Sequence, residues 1–174
     1  MIGKYIVVAC AALVCEPNVV ASPTDIPGCH WKIIDTAVDI KLSGREVVGF
    51  LKMPAELGRF EIENHRATAI VLHGTQYNGK FYIEQPYIYV QALTTDMSWH
   101  VEGAIPASFE TPADTLNVQA NSKASFLAYI HFPKLLNSTD LLRLVIQDGD
   151  SKSCFLSDPF QENEAKSPSS MTKG

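Results

Sequence analysis

The side chains able to do chemistry are few and widely spaced. Five histidines, His30, His65, His73, His100 and His131, stand singly, with no His-x-His pair on one strand and no Cys-x-x-Cys pair anywhere. Ligand spacing therefore supports neither a zinc centre nor another metal site, and no cofactor is implied. The densest lead is aromatic. Tyr77, Phe81, Tyr82, Tyr87, Tyr89 and Trp99 fall within 23 residues. Aromatic faces offer flat apolar area with a polar handle, which suits protein hot spots and sugar rings alike. Tyr77, Tyr82, Tyr87, Tyr89 and Trp99 are accordingly the candidate ligand-binding residues. They form a platform if their strand face points outward, and core or cross-strand pairs, the commoner fate, if it points inward.

Ala69-Ile70-Val71-Leu72-His73-Gly74 is an apolar strand running into His-Gly, which resembles the start of the oxyanion loop in α/β-hydrolases. That resemblance implies an acyl-transfer site using backbone donors, with a nucleophile elbow elsewhere. No Gly-x-Ser-x-Gly occurs, and the alternating helices of that fold are not in the pattern. Asp148-Gly149-Asp150 has the spacing of a calcium loop, but Lys152 takes the next alternating position, and a tight turn explains the same letters. Asp35, Asp39, Glu46, Glu61, Glu63 and Glu102 fall mostly at the polar positions of alternating stretches, where solvent-facing charge is expected rather than paired acid catalysis. Asn137-Ser138-Thr139 is a glycosylation sequon, meaningful only in a eukaryotic secretory route.

Four cysteines must be sorted by compartment. Residues 1–21 have the layout of a secretory signal peptide, with Lys4, an apolar run from Tyr5 to Cys15, and small Ala21 at the expected cleavage point. As a helix the apolar run rises only about 16 Å, half of a ~30 Å hydrocarbon core, so a transmembrane anchor is not expected. Removal of the leader takes Cys10 and Cys15 with it, leaving Cys29 and Cys154 as one expected disulfide near the two ends of an exported domain. On the chain-entropy model such a long loop contributes ~4–5 kcal/mol, less any strain.

The elements that must position these groups are strands. Apolar residues recur with period two, so the sequence predicts a single-domain, all-β antiparallel sandwich (Ig-like or jelly-roll) of about eight to ten strands over 22–160. Val38-Asp39-Ile40-Lys41-Leu42 alternates and breaks at Ser43-Gly44-Arg45-Glu46, which reads as a hairpin turn before Val47–Leu51, and Pro54 reads as its end. Phe60–Ile62, Ala67–Leu72, Phe81–Leu93 split at Pro86, Trp99–Val101 and Leu116–Val118 follow as strands. Ala124–Phe132 alternates most cleanly, with Phe126, Ala128, Ile130 and Phe132 on one face, and is expected to be central. Leu141–Gln147 and Cys154–Leu156 form a last hairpin around Asp148-Gly149-Asp150, and the polar stretch 161–174 lacks the apolar area to order itself.

With 14 basic and 19 acidic side chains, a net charge of -5 and 46% hydrophobic residues, the chain can close a core and is poorly suited to phosphate backbones, so no nucleic-acid partner is expected. Architecture and exclusion together point to an exported, non-catalytic recognition or accessory module, secreted or periplasmic, that binds a protein or glycan. Two other classes compete. A small hydrolase or metal-dependent enzyme would need His73 or His100 to converge with carboxylates, and a pilus-type surface subunit would need strand exchange at an open edge.

Overall fold

The computed structural model describes residues 35–50, 53–83, 86–103, 114–130, 138–150 and 153–161. The expected leader (1–21), Cys29, His30, His131, Asn137 and the stretch 162–174 lie outside the described residues. All regular structure within them is β: β1 (Val38–Phe50), β2 (Met53–Asn64), β3 (Ile70–Tyr77), β4 (Lys80–Tyr82), β5 (Ile88–Thr94), β6 (Trp99–Gly103), β7 (Asp114–Val118), β8 (Ser122–Tyr129), β9 (Ser138–Gln147), β10 (Cys154–Leu156) and β11 (Phe160–Gln161). They form two mostly antiparallel sheets. One has the order β1-β2-β8-β4-β3-β7; the other runs β10-β9-β5-β6, with β11 paired to β9.

Period-two alternation explains why these segments pair as they do. In β2, Phe60, Ile62 and Asn64 are buried while Arg59 and Glu61 are exposed. In β8, Phe126 and Ala128, with Ile130 just beyond it, point into the main core, and Leu127 belongs to the opposite face. As expected, β8 is internal to its sheet, flanked by β2 and β4. The final hairpin is also where the sequence places it, with Cys154 opposite Gln147.

The first hairpin differs from expectation. β1 does not turn at Ser43–Glu46; it continues to Phe50, absorbing an irregularity between Leu42 and Gly44, and pairs with one unbroken β2. Pro54 sits inside β2 opposite Gly49 rather than ending the hairpin. A bulge supplies the extra residue that a turn was taken to need, and proline is tolerated near a strand's start. The strand count is eleven among the described residues, because β4 and β11 are too short to alternate detectably.

Apolar residues from both sheets close one main core: Ile40, Phe60, Ile62, Ile70, Leu72 and Phe126 from the first, Ile88, Val90, Leu144, Ile146 and Phe155 from the second. Phe60 stacks on Phe126 with ring centres 5.5 Å apart and meets Phe160 edge-on at 5.4 Å. The sheets are tied along one side by backbone bonds. The Asp158 amide donates to the Ile40 carbonyl (2.8 Å), the Asp35 amide to the Cys154 carbonyl (3.3 Å), and the Gly149 amide to the Val71 carbonyl (2.7 Å).

Candidate ligand-binding site

The aromatic candidates do not share one surface. Tyr77 is at the β3–β4 hairpin, 41% exposed. Tyr82 is buried with Val48, Leu57 and Leu127 in a small cluster. Tyr87 packs against the main core, its ring 4.8 Å from that of His73. Tyr89 is buried with Val145 and Cys154 on the side of the five-stranded sheet turned away from that core. Trp99 combines partial exposure with a charged partner. The Arg143 guanidinium lies 4.1 Å from its ring centre.

The strand register builds the Trp99 site. Gln91 of β5 is opposite both Arg143 of β9 and Val101 of β6, and Leu93 is opposite Trp99. Residues directly opposite share a face, and Ile88, Val90 and Ala92 point the other way into the main core. Arg143, Gln91, Val101, Leu93 and Trp99 therefore form one patch on the outer face. Arg143 Nε donates to Gln91 Oε1 at 2.8 Å, which fixes the plane of the guanidinium and leaves its terminal nitrogens as an open fork. No carboxylate faces it among the described residues. Burial pushes the guanidinium down to about 10. Gln91 is fully buried and its Nε2 donor has no acceptor, an omission worth ~1–3 kcal/mol for such a group. Arg143 and Gln91 carried no signal in the sequence beyond polar letters at alternating positions.

The histidines are dispersed. His65 Nε2 is 3.2 Å from an Asp39 oxygen, His73 lies against Tyr87 and Gly149, and His100 Nε2 meets the Ser98 hydroxyl at 2.8 Å. Asp96, Ser98 and His100 look at first like a hydrolytic trio, but the order of bonds is wrong. The Ser98 hydroxyl donates to Asp96 Oδ1 at 2.6 Å, as does Thr94, so the serine proton belongs to the carboxylate and not to the imidazole. Hydrogen bonds from the Ser98 and Thr94 hydroxyls and the Ser98 amide hold the Asp96 carboxyl at about 2. This is a braced β5–β6 turn, with Met97 at φ 64°. Among the described residues no group of three histidine, cysteine or acidic side chains is placed to hold a metal.

Asp148 has a structural partner in place of calcium. Arg66 Nη1 donates to Asp148 Oδ2 at 3.0 Å, and the same guanidinium binds Asp35 and lies 4.9 Å from the Phe155 ring centre. The Ala37 amide, followed by Arg66, holds the Asp35 carboxyl below its ordinary value against the opposing effect of burial. In a cleft of about 250 Å³ bordered by Glu46, Arg59, Lys80, Phe81 and Phe126, both cations are already engaged, since Glu46 pairs with Lys80 and with Arg59. Cys154 is buried and is not a free titrating thiol. No helix among the described residues is long and apolar enough to cross a membrane.

No protein-family model, curated protein or solved structure is significantly similar to the chain.

Proposed function

We propose that the protein is an exported, non-catalytic recognition module, an Ig-like or jelly-roll β-sandwich that binds a protein partner at the Trp99–Arg143 patch. The observation that carries this reading is the guanidinium stacked on Trp99, half-buried and without an acidic partner among the described residues. A protein's own fold gains nothing by burying a cation unpaired, whereas a binding surface gains a desolvated site ready for an anion. One indole face is already covered by Arg143. That takes away a flat surface a sugar ring would stack on, so a protein ligand is favoured over a glycan.

The leader 1–21 is removed on export in this reading, and Cys29 pairs with Cys154. The Asp35 amide is bonded to the Cys154 carbonyl, and six residues reach at most ~20 Å, so Cys29 is within range of the buried Cys154 sulfur. Denaturing thiol titration of the exported protein should find no free thiol. Recognition is tested by cross-linking the exported chain in its native compartment. A partner held by the wild type and lost from folded Arg143→Gln and Trp99→Ala variants supports the reading, and a partner held equally by all three overturns it.

A further inference from the structure

Among the described residues β6 is an edge strand with no backbone bond on its outer side, whereas each of the other edges receives at least one bond. Among the described residues it pairs with β5 alone. The β10 edge of the same sheet receives the Asp35 amide, and the β1 edge of the other sheet receives the Asp158 amide. At β7, the Asn64 side chain donates to the Val118 and Gln119 carbonyls.

The β5–β6 turn decides which β6 groups face outward. The Thr94 amide donates to the Ser98 carbonyl at 2.9 Å, so Thr94 and Ser98 are a hydrogen-bonded pair. Alternation then makes Ala92–His100 the next such pair, and leaves the amides and carbonyls of Trp99 and Val101 directed away from β5. The side chains of Trp99 and Val101 stand on the outer face, the face that holds the Arg143 fork. Open backbone and open cation are thus side by side, and apolar Val101 is 39% exposed between them.

We propose that β6 accepts an extended acidic peptide as an added strand, with main-chain bonds to Trp99 and Val101 and an Asp or Glu side chain of the peptide seated on the Arg143 fork. The inference rests on the recognition reading above and names its ligand class. Main-chain pairing supplies affinity that is indifferent to sequence, and the charge-assisted fork selects the acidic side chain. The span is suitable: the guanidinium reaches across from β9 to lie over Trp99 of β6, which leaves one strand spacing, about 4.8 Å, to a strand added outside it. Gln91 acts as a positioning residue, holding the guanidinium plane through Nε.

The full exported chain would be titrated with a library of blocked pentapeptides of alternating Val or Thr with Glu, with Gln-substituted copies, and separately with glucuronate. Hydrogen exchange and Trp fluorescence are the readouts. The expected result is a Glu-containing peptide that protects the Trp99 and Val101 amides and binds at least tenfold better than its Gln copy. Arg143→Gln should erase that preference while keeping the protection, and Val101→Pro, which removes one outward donor, should abolish the protection while leaving Arg143 on Trp99. No binding by any library member, equal binding of Glu and Gln peptides, or protection at another edge would each overturn the proposal. So would glucuronate binding at Arg143 with no peptide protection at β6. None of these outcomes bears on whether a partner is captured through the patch, which is the separate test of the recognition reading.

Discussion

The two edges of the five-stranded sheet are built to opposite ends. The β10 edge is tied down. Asp35 bonds Cys154 through the backbone, Arg66 clamps Asp35 and Asp148 together while covering Phe155, and Tyr89, Val145 and Cys154 are buried on the outer face. At the β6 edge the outer face carries Trp99, Val101 and Arg143, all partly accessible, and Met97 in the adjoining turn is 73% exposed. A sheet edge is a template for further pairing, and proteins usually cover or charge it. Here one edge is covered with a buried ion-pair network, and the other is left with its backbone open and a cation above it. The difference teaches that stability and recognition are assigned to different ends of the same four strands.

The strongest way to break the comparison is to disarm the covered edge. Arg66→Met leaves the Asp148 carboxylate, 3% exposed, without its cation, and should destabilise the protein by ~3–5 kcal/mol in urea unfolding. Adding Asp148→Asn should recover part of that loss. Acid attacks the same edge more gradually. The Asp35 carboxyl is held below its unfolded value of 3.8, so the unfolded chain binds more protons between the two values. The contribution is complete above about pH 5 and is lost as pH falls through the lowered native value. Urea midpoints measured from pH 6 to pH 2 should fall in that window, and Arg66→Met should fall less steeply.

Hydrogen exchange sharpens the contrast without any mutation. The amides of Phe155 and Asp35 should exchange at least ~100-fold more slowly than those of Trp99 and Val101, because the first pair is bonded and the second faces outward. Smallest of all is the effect of Trp99→Ala on folding. Its ring is partly exposed at the edge, so truncation should cost no more than ~1–2 kcal/mol by thermal melt, well below Arg66→Met. A larger loss would mean that Trp99 belongs to the core, and the division between the two edges would fail.

Much of the fold was legible because period two is a direct record of a face. Phe126, Ala128 and Ile130 announced the central strand, and Asp148-Gly149 announced the last turn. Ser43-Gly44 misled, because small and polar residues serve bulges as well as turns, and only pairing along a partner strand separates the two. Asn78-Gly79 is a signal that went unread: both residues have positive φ (50° and 75°), and this dipeptide is a strong mark of the two-residue β3–β4 hairpin. The candidate site was legible only at Trp99. Arg143 and Gln91 come from two other strands, Arg143 lying 44 residues from Trp99 and 52 from Gln91, a distance invisible to local pattern, since register alone brings β9 and β5 together. Asp148 likewise looked like half of a calcium loop because its true partner, Arg66, is 82 residues away.

The bond from Asp35 to Cys154 also sets an order of events in time. β1 and β2 are neighbours in sequence and can pair as soon as both are free, whereas the Asp35–Cys154 seam joins groups about 120 residues apart and carries the full loop-closure cost. The covered edge is therefore the last part of the domain to form, after nearly the whole chain has emerged. Until then β10 is as open as β6, and a chain halted before Cys154 would present two sticky edges in place of one.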